Sequence, residues 1–235
     1  MSFNYNISIL ELLDILGCKP NLEYHRDSNL PDLLNDFLSR IYKHPLFKTA
    51  DIWTEHPAWR SYEIIEERID EDREYYEEHP EEFEGNSYEP FFRLSKDKWS
   101  ELVANYVEIG SDYAAGVVEF GIRDEDLKQE NPMVYMLHEE DAPIGWKRFS
   151  ETLSDYLKYV VCAVLCCESY STGKNVLEKE GWKYMECEKP KDAPLTPCIF
   201  NLAVCCGYDS DAHTILAILS LSDAQCKTVQ ITKES

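Results

Sequence analysis

Residues 105–138, NYVEIGSDYAAGVVEFGIRDEDLKQENPMVYMLH, decide the fold class. Three short runs are rich in β-branched and aromatic side chains: Asn105–Ile109, Gly116–Ile122 and Met133–His138. Gly110-Ser111-Asp112 and the polar segment Arg123–Pro132 separate them. Such runs, bounded by turn formers, read as strands. Strands this close together predict an antiparallel meander. Gly110 is expected to permit a tight reversal after the first strand, with Asp112 bonding its own backbone in the turn.

Outward from the meander, helices are expected on both sides. Ser8–Leu16 places Ile9, Leu10, Leu12, Leu13 and Leu16 on one stripe, ended by Gly17. Leu30–Tyr42 repeats Leu30, Leu33, Leu34, Phe37, Leu38 and Ile41 at helical spacing, with Pro31 suited to a first turn. Residues 54–84 read as one long helix between Pro57 and Pro80, carrying 12 acids and two bases from Glu63 to Glu84. Tyr88–Leu94 reads as an edge strand containing Pro90, and Ser95–Ala104 as a short helix capped by Ser95. After the meander, Ser150–Leu165 predicts a helix with Ser150 as its N-cap. Thr172–Glu180 predicts another, ended by Gly181. Trp182–Cys187, a hairpin of Ile199–Cys206 with Thr214–Leu221, and Thr228–Thr232 complete the strands. The expected class is α+β, a mostly antiparallel sheet flanked by helices. Residues 1–166 would form the main domain, with an acidic helical insertion at about 54–84. Residues 167–235 would be a C-terminal α/β extension on the same sheet.

Composition narrows the function. The chain has 235 residues, 44% of them apolar, with 15 Tyr, 9 Phe and 5 Trp, enough to fill a core. No apolar run approaches the roughly 18–20 residues of a membrane span, so no membrane partner is expected. The N-terminal stretch lacks the pattern of a secretory signal. The nine Cys are odd in number and lie largely in apolar runs, as buried free thiols do in a reducing compartment. A cytoplasmic location is the expectation. The net charge of −22, from 45 acids against 23 bases, repels phosphate backbones and disfavours nucleic acid as a partner. It attracts basic proteins and speeds encounter with them.

Motifs for chemistry are sparse. The nine Gly are scattered and form no phosphate loop. Cys162, Cys166 and Cys167 have helical spacing but no nearby His, so packing is the expected role and no metal or cofactor is expected. A Cys/His nucleophile pair could be drawn from Cys205 or Cys206 with His213, yet an apolar strand disfavours a thiolate. Asp209 and Asp211 flank Ser210 in an acidic turn that lacks the twelve-residue calcium-loop pattern.

Three segments in order resemble the SUKH superfamily, which includes bacterial immunity proteins. They are LPDLLNDFLSRIY (Leu30–Tyr42), YVEIGSDYAAGVVEFGI (Tyr106–Ile122) and NPMVYMLHEEDAPIGWKRFSETLSDYL (Asn131–Leu157). The resemblance covers Leu30–Val161. It implies an α+β fold with a mostly antiparallel sheet, binding without a common catalytic site, and neutralisation of protein toxins, often nucleases.

The expected function is therefore that of a non-enzymatic immunity protein directed at a basic toxin domain. A regulatory binding scaffold is one alternative. A small hydrolase using Cys206 and His213 is another. Candidate partner-binding residues are Glu67, Asp70, Glu71, Glu74 and Glu78 on the acidic helix, Asp112 and Tyr113 at the family-like turn, and the loop Glu139, Glu140 and Asp141. Trp59, Tyr113 and Trp146 are the exposed aromatics expected to serve if the acids do not.

Overall fold

The computed structural model describes residues 2–47, 58–60, 69, 73–85, 88–95, 98, 106–112, 118–138, 146–166, 172–198, 202–222 and 225–233. In chain order the elements are helix α1 (Ile9–Ile15), α2 (Asp32–Ile41), strand β1 (Ala58–Arg60), helix α3 (73–78), a 3-10 turn (Pro80–Phe83) and α4 (Glu89–Arg93). Strands β2 (Tyr106–Asp112), β3 (Val118–Arg123), β4 (Val134–His138) and β5 (Lys147–Ser150) follow. Helices α5 (Leu153–Cys166) and α6 (Thr172–Lys179) lead to β6 (Trp182–Glu186), β7 (Thr196–Pro197), β8 (Ala203–Asp209), β9 (Thr214–Ser222) and β10 (Gln225–Lys233). The class is α+β, as expected, but with two five-stranded sheets, β1-β2-β3-β4-β5 and β6-β10-β9-β8-β7.

The chain divides into two compact units. One comprises Met1–Ala50, Lys128–Met133 and Phe149–Ser235; the other comprises Asp51–Leu127 and Val134–Arg148. This differs from a boundary after residue 166. The reason is α5, which packs on β8, β9 and β10 and belongs with the C-terminal strands. Likewise α2 packs on α1 and α5. These two helices, expected on the sheet that carries the meander, thus belong with the C-terminal strands.

In the first unit, eleven of the fourteen residues of α5 are buried. A helix apolar on all sides must be enclosed on all sides, and α5 lies between the sheet and the pair α1/α2. Its N-terminus is set by Thr152, whose Oγ1 accepts from Asp155 N at 3.1 Å and donates to Asp155 Oδ2 at 2.7 Å. Ser150, the expected cap, ends β5 and donates its hydroxyl to Thr152 O at 2.8 Å. Helix α1 opens with a capping box between Ser8 and Glu11 and is followed by Gly17 at φ +88°. Asn35 is buried on α2, and its amide Nδ2 donates to Asp27 O (2.9 Å) and Leu30 O (3.2 Å). Its Oδ1 accepts from Asp27 N (3.0 Å) and Tyr24 OH (3.2 Å), so one side chain staples the loop before the helix. The other face of the sheet is covered by Phe3 and Tyr5, which press on Gly207, where an added Cβ would sit 3.0 Å from the Tyr5 ring.

The second unit holds the meander. Strands β2, β3 and β4 are adjacent and antiparallel, as predicted. Gly110 does not turn the chain: β2 runs on to Asp112, and the register shifts between Glu108 and Gly110, leaving Ile109 extra. Gly110 therefore marks a β-bulge, the other use of glycine in a strand. The expected long helix at 54–84 is also corrected. Ala58–Arg60 is a strand paired with β2, and helix is described only at Ile69 and 73–78, before the turn at Pro80–Phe83. Pairing with the edge of β2 outweighs the good helix propensity of Ala58 and Arg60. The expected strand Tyr88–Leu94 is helix α4. In a strand, Phe91 and Phe92 would point to opposite faces. Here both are buried in one cluster with Ile69, and Pro90 fits the first turn. Of the expected helix Ser95–Ala104, little is described beyond Lys98 N donating to Ser95 O at 2.9 Å.

Candidate protein-docking surface

Helix α3 and the turn after it carry the best-described part of the acidic segment. Tyr76 fixes the helix from behind. Its ring stacks on Phe92 with centroids 4.4 Å apart and planes 11° apart, and Phe83 meets Tyr76 edge-on at 5.3 Å. Phe83 also meets Phe92 edge-on at 5.1 Å, so three rings close a triangle beside buried Ile69 and Phe91. Arg93 pairs with Glu89 one helical turn away, and a hydrogen bond to Tyr76 together with Glu89 holds its pKa above the ordinary value.

With Tyr76 turned inward, the polar side faces water. Glu74, Glu77, Glu78, Glu81, Glu82 and Glu84 are all exposed. Tyr75 is 47% exposed among them. Its hydroxyl donates to Glu82 Oε2 at 2.7 Å, and its ring lies 4.7 Å from that of His79. The bond to Glu82 raises the Tyr75 pKa, so the phenol stays protonated and donating at neutral pH. This arrangement presents a dense negative field around one large, oriented aromatic, the kind of side chain that anchors protein interfaces.

Of the ten candidate binding residues, the structure brings Glu74 and Glu78 onto this surface. Glu67, Asp70, Glu71, Tyr113, Glu139, Glu140 and Asp141 lie outside the described residues. Asp112 is described by its backbone, which ends β2 opposite Val118. Val118 also pairs with His138, the residue before Glu139. Asp112 and His138 therefore lie at the same end of the sheet, each opposite Val118.

Tyr75 and Glu82 were not singled out from the sequence. A single helix through residue 84 would separate them by two turns. The turn at Pro80–Phe83, after His79 at φ −132°, folds Glu82 back under Tyr75. Pro80 was the available signal.

Other candidates are placed differently. Trp146 is half-buried, stacked on Tyr106 at 4.2 Å and 11°, and a Cβ on Gly121 would lie 2.9 Å from its ring. It is a packing residue beside Arg123, whose Nε donates to Tyr106 OH at 3.0 Å and whose guanidinium sits 4.5 Å over Tyr135. The side chain of Trp59 is outside the described set. Cys206 pairs with Ala217 across the hairpin, four residues from His213, roughly 13 Å of strand away. His213 instead places Nδ1 3.2 Å from Tyr208 OH. Asp209 accepts from Ser2 N at 2.7 Å and from Asp211 N and Ala212 N at 3.0 Å. Those donors, Ala212 N foremost, lower its pKa and close the hairpin turn.

Among the described residues, no group of three His, Cys, Asp or Glu could hold a metal ion, and no helix is long and apolar enough to cross a membrane. Comparison with protein-family models, curated proteins and solved structures finds no match to this chain.

Proposed function

We propose that this chain is an intracellular immunity protein of the SUKH kind, which binds a basic protein toxin and blocks it. The observation that carries the proposal is the surface of residues 74–84: six exposed carboxylates around Tyr75, held by the ring triangle of Tyr76, Phe83 and Phe92. A nuclease suits this surface because its active face is built to receive a polyanion, and a protein carrying −22 offers one. The three family-like segments support the same reading. Leu30–Tyr42 contains α2, Tyr106–Ile122 contains β2 and most of β3, and Asn131–Leu157 contains β4, β5 and the start of α5.

The test is co-expression with the toxin domain encoded beside its gene. Restored growth and a co-purifying complex would support immunity. Growth arrest in the presence of the intact chain, with no complex formed, would overturn it. A complex with a non-toxic neighbour would favour the regulatory scaffold.

A further inference from the structure

Cys162 on α5 and Cys206 on β8 are 44 residues apart in sequence and place their Sγ atoms 3.3 Å apart. Two periodicities select this pair. Along β8, alternation turns Cys206 toward α5 and Cys205 to the opposite face, where it packs with Leu216 and Ile218. Along α5, one turn beyond Cys162, Cys166 meets a backbone carbonyl instead, that of Ala217 at 3.6 Å. A disulfide spans about 2.05 Å, so bond formation asks for an approach of about 1 Å beyond the contact already present.

We propose that Cys162 and Cys206 are a dithiol that a hydroperoxide converts to a disulfide, tying α5 to β8. Cys206 is 5% exposed and Cys162 0%, so Cys206 meets the oxidant first. Its sulfur attacks the O–O bond of hydrogen peroxide, the S–O bond forms, and the leaving oxygen departs as water with the thiol proton. The Cys162 sulfur then attacks the sulfenic sulfur; the S–S bond forms, the S–O bond breaks, and hydroxide leaves with the Cys162 proton as a second water. Two thiols lose two electrons and one peroxide becomes two waters. The hydrogen bond with Cys206 and burial both push the Cys162 thiol up, so the second step is slow near neutrality and quickens with pH.

The experiment treats the full chain with hydrogen peroxide, alkylates it under denaturing, non-reducing conditions, and maps the peptides by mass spectrometry. A peptide pair joining Cys162 to Cys206, about 2 Da lighter than the sum of its reduced halves, is the expected product, and dithiothreitol should release it. Cys206→Ser should abolish it, and Cys226→Ser, at an exposed position, should leave it intact. Recovery of both Cys162 and Cys206 as alkylated thiols in wild type, while Cys226 is oxidised, would overturn the proposal. So would Cys162 found linked to another cysteine.

Discussion

Tyr76 and Phe92 lie face to face, 4.4 Å apart and inclined by 11°. This contact joins an acidic helix to its support. Propensity alone gives such a helix little stability, because nucleation fixes three residues for the first hydrogen bond. Like charges at Glu74 and Glu78, one turn apart, weaken it further. Tertiary packing must hold it, and the described packing is aromatic.

Phe91 and Phe92 should therefore be sensitive positions. They are 0% and 8% exposed. Either Phe→Ala substitution should destabilise the fold by about 3–5 kcal/mol, the usual loss for a buried phenylalanine. Tyr76→Phe keeps the stacked ring and should cost about 1 kcal/mol or less, for one hydroxyl contact. Equilibrium denaturation of the three variants checks the order. A Phe92→Ala protein as stable as wild type would show that the ring cluster does not hold the helix.

The thiols give a second expectation. Eight cysteines are described, each as a thiol: Cys18, Cys162, Cys166, Cys205 and Cys206 are buried, Cys187 and Cys198 half-buried, and Cys226 exposed. Burial pushes Cys18, Cys198 and Cys205 up to about 12, where almost no thiolate exists at the pH of an ordinary assay. A thiol reagent at pH 8 should label Cys226 rapidly and these three slowly. After denaturation it should count nine, the number in the sequence. Rapid labelling of Cys205 in the folded protein would contradict its placement under Phe3 and Tyr5.

Asp209 sets a pH dependence. Its pKa lies below the ordinary 3.8 because backbone N–H groups of Ala212, Ser2 and Asp211 bond the charged form. A carboxylate lowered on folding contributes stability above its unfolded pKa, and that contribution is lost as pH falls through the folded value. Asp209→Asn should lower the melting temperature at pH 7 and narrow its difference from wild type as the pH drops below 4. Asp209→Ala, which removes every acceptor, should melt lower still. Equal melting curves for all three at pH 7 would remove the hairpin turn from the account.

The reading of Glu74 and Glu78 shows what was legible in the sequence. Both were placed on one acidic helix face, as candidate partner-binding residues, and both are exposed on a helix. The strands β2, β3 and β4 were legible for a similar reason: short β-branched and aromatic runs between turn formers are written locally. Which sheet a helix covers is not written locally. Leu153–Cys166 carries the pattern of a buried helix, but nothing in that pattern says whether β3 or β9 lies beneath it. Phe91-Phe92 failed for a related reason. Adjacent aromatics fit a strand by propensity, and only the presence of Ile69, Tyr76 and Phe83 on one side makes a helix the better solution. The bulge at Gly110 was unreadable because a glycine after a strand signals a turn and a bulge alike.

The docking surface is tested most directly by rates. Charges that steer a partner act on association, while charges at a solvated rim add little to the final affinity. Glu74, Glu77, Glu78, Glu81 and Glu84 are exposed, and the Tyr75 hydroxyl donates to Glu82 on this face. Changing Glu74, Glu77 and Glu78 together to Gln removes three charges and leaves Tyr75, Tyr76 and Phe83 in place. Association with the proposed toxin partner should slow about tenfold at low salt, with dissociation nearly unchanged. The difference should shrink at 0.15 M salt, where the screening length is about 8 Å. Tyr75→Ala should do the opposite, quickening dissociation with little effect on the salt slope, because an aromatic anchor acts in the formed complex. Stopped-flow association at several ionic strengths separates the two effects. If the triple variant and Tyr75→Ala both bind with wild-type rates at every salt concentration, the acidic helix serves solubility alone. The contact must then be sought at the sheet end marked by Asp112 and His138, where both strands meet Val118.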